Sequence, residues 1–217
     1  MYGIDRLIVP LLHKDRPKPC NSEVFQLVTP SEETLIVHCN MDMLHVYNLL
    51  TNCEVAEHKL PNTVESTNII VVDRNTLLLI GTKVSFNDSQ QHEVRRAVAI
   101  VLSSRDGFRS LEIREKTLMT AANANTRMKV TNALVINQDL LFSIVNSGDY
   151  DRMRLYSVRL EDVLKSDDDM GTGDMALSTH GSYPANSYLP HIFHIDGSRV
   201  ASIRDYPDPN VIDIIDL

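Results

Sequence analysis

Short apolar runs recur along this chain in sets of three or four, and the sets themselves recur. Four segments share the order strand, tight turn, strand, polar break and then a further strand. Their third strands read LHVYNLLTN from Leu44, AVAIVLSSRDG from Ala97, RLYSVRLED from Arg154 and VIDIIDL from Val211. Aligning Leu49, Leu102, Val158 and Leu217 gives spacings of 53, 56 and 59 residues. A near-constant period of this size marks one supersecondary unit repeated with loops of variable length. The runs alternate, are rich in Val and Ile, and are broken by Asn, Asp, Gly and Pro, which is strand patterning.

Strands are expected at 7–12, 23–28, 34–39, 44–50, 54–60, 69–72, 76–84, 95–103 and 110–114. They continue at 133–137, 140–146, 153–158, 175–179, 191–195, 199–203 and 211–217. Leu160, Val163 and Leu164 form the one helical i, i+3, i+4 patch. Parallel α/β folds need a crossover helix for each successive strand, so they are excluded. The expected fold is all-β: a radial array of about four blade-like units of four antiparallel strands, a β-propeller. The units are 23–60, 69–114, 133–179 and 191–217, with 7–12 as a closing strand, forming either a whole four-bladed ring or part of a larger one.

Four stretches carry family resemblances. LIVHCNMDMLHVYNLLTN, residues 35–52, resembles the b-turn-c hairpin of a WD40 repeat, with Asp42 in the turn, Tyr47-Asn48 in the Trp-Asp place and Thr51-Asn52 in the Thr-Gly place. RVASIRDYPDPNVIDIIDL, 199–217, has the same outline, although no Gly-His precedes either hairpin. SRDGFRSL, 104–111, resembles the Asp-box turn S-x-D-x-G-x-T-W of sialidase-like propellers, with Phe108 at the Gly place and Leu111 at the Trp place. In that family the motif is structural and lies away from the active site. DYPDPNVI, 205–212, resembles the D-P-x-[VI]-I opening of five-bladed glycosidases, in which the Asp is the general base, here Asp208.

The 217 residues carry 21 Lys+Arg and 29 Asp+Glu, a net charge of −8, without a dense basic cluster. Little counterion release is available from a polyphosphate, so nucleic acid and anionic membranes are not expected partners. Three cysteines, Cys20, Cys39 and Cys53, lack C-x-x-C spacing, and 7–12 is too short for a secretory core. A cytoplasmic or nuclear location with reduced thiols is the expectation.

No motif for a serine hydrolase elbow or a phosphate loop occurs. With Met41-Asp42 as the turn, His38 and His45 would be a cross-strand pair on one face, read as solvated rather than as metal ligands. His191 and His194, three apart on a strand, point to opposite faces. The run 166–174 gathers carboxylates and glycines without EF-hand spacing and reads as an acidic connector. No metal, no cofactor and no catalytic residue are expected.

The functional expectation is a non-catalytic module that binds a protein partner through loops joining second and third strands, at 40–43, 85–94, 147–152 and 205–210. Within or beside these loops Asp42, Arg95, Asp149, Tyr150, Asp205 and Tyr206 are the candidate contacts. The alternatives are a carbohydrate-active propeller, hydrolase or lectin-like, and an incomplete propeller without independent function. A glycosidase would draw on Asp208, Glu112 and the tyrosines Tyr150, Tyr156, Tyr183 and Tyr188.

Overall fold

The structure is a computed structural model that describes residues 24–39, 43–60, 64–87, 92–121, 128–146, 152–165, 174–184, 191–196, 199–203 and 212–217. These residues form four antiparallel sheets. The first is β1 (Val24–Ser31), β2 (Thr34–Cys39), β3 (Met43–Asn48) and β4 (Cys53–Lys59), paired in that order. The second is β5 (Val64–Asp73), β6 (Thr76–Asn87), β7 (His92–Ser103) and β8 (Glu112–Thr120). The third holds β9 (Met128–Ile136), β10 (Asp139–Asn146), β11 (Arg152–Arg159) and β12 (Ser178–Pro184), with α1 (Leu160–Leu164) between the last two. The fourth has β13 (His191–Asp196), β14 (Arg199–Ile203) and β15 (Ile212–Asp216). Each is an up-and-down meander, so the chain is all-β with propeller-like blades, as its repeat pattern implies. Strand 7–12 lies outside the described residues.

The middle strands are sealed on both faces. Leu77 to Ile80 on β6 and Ala97 to Leu102 on β7 are fully buried, as are Leu35 to Val37 on β2 and Leu44 to Tyr47 on β3. Outer strands are half-open, β4 and β8 among them. Continuous apolar runs at the blade centre and alternation at its rim follow from covering the inner strands on both sides.

Contacts divide the chain into two compact units. One contains β1 to β4 with 71–77 and 102–113; the other contains 63–70, 78–101 and the chain from 114 onward.

In the first unit, SRDGFRSL closes into a turn held by its own Ser104, Asp106 and Ser110 side chains. Ser104 Oγ accepts from the backbone N–H of Phe108 at 2.8 Å and donates to Asp106 Oδ1 at 2.8 Å. The same carboxylate accepts from Ser110 N at 3.0 Å and Ser110 Oγ at 2.7 Å. These bonds hold the Asp106 carboxyl well below the usual carboxylate range, Ser110 contributing most. Gly107 and Phe108 take φ +70 and +65, and Phe108 is nonetheless buried. The turn therefore occupies residues where a strand over 110–114 was expected, and β8 runs on to Thr120. Its length is masked in sequence by alternating charges; one of them, Lys116, is buried and donates to the carbonyl of Asp162 at 3.1 Å.

The expected His38–His45 pairing is corrected. The register matches Cys39 to Met43, His38 to Leu44 and Val37 to His45. Three residues separate the closing pair rather than two, and a one-residue shift sends the two imidazoles to opposite faces. Both are also buried rather than solvated.

Candidate functional site

In the second unit, the β10–β11 ladder sets Leu141 opposite Ser157 and Asp139 opposite Arg159. The β9–β10 ladder adds Ile136 beside Asp139 and Leu134 beside Leu141 on the same face. This face packs on Val200 and Ile215 of the fourth sheet through Ile136, Leu141, Met153 and Leu155. Buried on that side, Ser157 follows Met153 and Leu155 along β11.

β12 completes the arrangement. Ser178 lies opposite Ser157 and Thr179 opposite Tyr156, but Arg154 pairs with Ser182, so the ladder slips between them. Gly181 sits at this irregularity with φ +106, a conformation L side chains rarely adopt. Two residues beyond Ser178, His180 shares the Ser157 face, and Ser157 Oγ lies 2.7 Å from His180 Nε2.

The pair lines a cleft of about 230 Å³ with Ile136, Asn137, Asp139, Leu141 and Leu217. Asn137 and Gln138 form the β9–β10 turn with φ +49 and +71, fixed by the N–H of Leu160 donating to the Gln138 carbonyl at 2.8 Å. Asp139 meets Arg159 at 3.4 Å on the rim. The cleft thus joins an apolar floor to a hydroxyl, an imidazole, an amide and a carboxylate. Such a mixture suits a small polar ligand with an apolar side.

A second polar cluster sits on β3 and β4 in the first unit. There His45, Glu54 and Glu57 bring one ligand atom each to within 4.8 Å of one another.

Of the residues expected to contact a partner, Arg95 alone is described. It lies within β7, and its loop is shorter than expected because β6 extends to Asn87 and β7 begins at His92. Its guanidinium meets Glu65 at 3.1 Å and Glu93, leaving the side chain 16% exposed. Asp42, Asp149, Tyr150, Asp205 and Tyr206 lie outside the described residues, as do Asp208 and most of the acidic run. Asp174, at the end of that run, accepts from Thr120 N at 3.0 Å and Thr120 Oγ1 at 2.8 Å. Tyr156 stacks on Phe142 at 5.8 Å. Neither Ser157 nor His180 was singled out by sequence, because 23 residues and a slipped ladder separate them.

The sequence matches no protein-family model and no curated protein. Among solved structures, it is similar to the periplasmic gluconolactonase of Pseudomonas aeruginosa, with 12% identity and a TM-score of 0.46 over 94% of this chain and 57% of that one. The chain thus spans little more than half the length of that protein. That structure is of an enzyme, which runs against the expectation of a chain without catalytic activity. Among the described residues no helix is long and apolar enough to cross a membrane.

Proposed function

We propose that the chain is a hydrolase acting on an ester or lactone carbonyl of a small polar substrate, with Ser157 as nucleophile and His180 as general base. The observation that carries this reading is the 2.7 Å contact between Ser157 Oγ and His180 Nε2 at the wall of the cleft. A serine hydroxyl is a poor nucleophile until an adjacent base takes its proton, and contact at this distance is what that transfer requires.

In the proposed reaction Ser157 Oγ bonds to the carbonyl carbon as its proton passes to His180 Nε2. The C–O bond to the leaving alkoxide then breaks, and His180 returns the proton to that oxygen. Water repeats the sequence on the acyl-serine, releasing the acid and restoring the hydroxyl. Asn137 carries an amide donor in the cleft lining for the developing oxyanion. The volume of about 230 Å³ favours ligands smaller than the drug-sized molecules that fill pockets of roughly 300–1,000 Å³.

The test is hydrolysis of p-nitrophenyl acetate and of δ-gluconolactone by the purified chain, compared with Ser157→Ala and His180→Ala. Each substitution should reduce kcat/KM by about a hundredfold or more for whichever substrate is turned over. Equal rates in all three proteins would contradict the assignment.

A further inference from the structure

We infer that His45, Glu54 and Glu57 form a binding site for a divalent transition-metal ion of the zinc type, independent of the cleft. His45 lies opposite Glu57, and Tyr47 lies opposite Glu54, while Val46 pairs with Ala56. Val55 is therefore an extra residue in β4, a bulge. In an unbroken strand Glu54 and Glu57, three apart, would point to opposite faces. The bulge cancels that alternation, and both carboxylates stand on the His45 and Tyr47 face.

The distances that result are those of a ligand set. His45 Nδ1 is 2.7 Å from Glu54 Oε1 and 3.5 Å from Glu57 Oε2. In a tetrahedral zinc site with bonds of about 2.0–2.1 Å, neighbouring donor atoms lie roughly 3.3 Å apart. The two observed separations bracket that value, so small side-chain rotations suffice to admit an ion.

Burial gives the site a second, independent feature. The His45 side chain is 6% exposed and is backed by the Leu35, Val37 and Tyr47 cluster, whereas Glu57 is 54% exposed. The buried imidazole presents Nδ1 to both carboxylates, and an ion can approach from the exposed Glu57 side with water as its fourth ligand. One nitrogen and two carboxylates suit zinc and its neighbours. Calcium wants six to eight oxygens, which three side chains do not supply. Two carboxylates around a neutral imidazole also carry the −2 charge that a divalent ion cancels.

Nδ1 is the ring nitrogen that faces both carboxylates, and ligation through it requires the imidazole proton on Nε2.

The test is zinc titration of the chelator-treated chain, followed by calorimetry and by thermal melting, with calcium in parallel. One equivalent of zinc should bind and raise the melting temperature, with calcium having no effect at the same concentration. His45→Ala, Glu54→Gln and Glu57→Gln should each weaken binding roughly tenfold or more. Glu57→Gln is the variant of choice should the buried substitutions unfold the chain, because its side chain is exposed. Absence of stoichiometric zinc binding, or binding undiminished by Glu57→Gln in a folded chain, would overturn the inference. Ester hydrolysis is not part of the readout, so this result stands apart from the Ser157 assignment.

Discussion

His58 Nε2 lies 2.7 Å from the backbone carbonyl of Phe108 and donates to it, tying β4 of the first sheet to the 104–111 turn 50 residues away. Leu44, the β3 partner of His58, is buried beside it. The bond spans two elements that nothing local would bring together. His58→Ala removes the donor from a half-buried carbonyl and should destabilise the fold by about 1–2 kcal/mol, read as a lower urea midpoint at unchanged slope. His58→Gln, which keeps an N–H donor, should recover part of the loss.

Phe108 sets two physical effects against each other. Its φ of +65 favours glycine, yet its ring is buried. Losing a buried aromatic costs about 3–5 kcal/mol, while left-handed strain is worth roughly 1–2 kcal/mol. Both Phe108→Ala and Phe108→Gly should therefore destabilise, with the glycine variant the more stable of the two by about 1 kcal/mol. Alanine equal to or better than glycine in chemical denaturation would show that the backbone is not held at positive φ.

Asp106 makes stability depend on acid in a defined direction. Its folded carboxyl is held far below the ordinary value of 3.8, chiefly by the two Ser110 bonds and then by Ser104. A group depressed on folding contributes its full stability above the unfolded value and loses it as pH falls toward the folded one. The melting-temperature gap between the native chain and Asp106→Asn should be constant at neutral pH and narrow progressively below about pH 4. A gap independent of pH from 6 to 2 would contradict the hydrogen-bond assignment.

Thr82 Oγ1 accepts from the buried backbone N–H of Val130 at 2.8 Å, next to the irregularity where Ser143 pairs with Asn132 and Ile144 with Val130. Both residues are fully buried. Thr82→Val preserves shape but leaves a buried N–H unmet, so a loss of about 1–3 kcal/mol is expected. Thr82→Ser should lose less, since it retains the hydroxyl.

Most of the fold was legible because its signals are local. Alternating runs set the strands of all four sheets near their observed positions, Leu160, Val163 and Leu164 marked α1, and SRDGFRSL announced its turn. Where polar residues fill a strand, the pattern failed. Ser178–Pro184 offers no apolar alternation, and its order comes from backbone pairing with β11, so the strand was expected earlier, at 175–179. Met175 instead donates its N–H to the carbonyl of Leu118 at 3.3 Å.

Both polar clusters were invisible for a related reason. Glu54 reaches the His45 face because β4 carries one extra residue at its bulge, and His180 meets Ser157 across a β12 strand whose polar residues give no apolar pattern and whose ladder slips just beyond Thr179. Side-chain spacing in sequence does not encode such a slip, whereas a regular ladder would have been read correctly. The His38–His45 error shows the same sensitivity, since one additional turn residue reverses every face that follows it.

The proposed chemistry requires Ser157 to be an activated nucleophile. The most direct measurement is treatment of the folded chain with an organophosphonate fluoride, followed by peptide mass spectrometry. A single phosphonylated serine is expected at Ser157, with labelling much slower in His180→Ala and absent in Ser157→Ala. Ser157 left unmodified under conditions that label a known serine esterase, or labelled equally fast without His180, would contradict it.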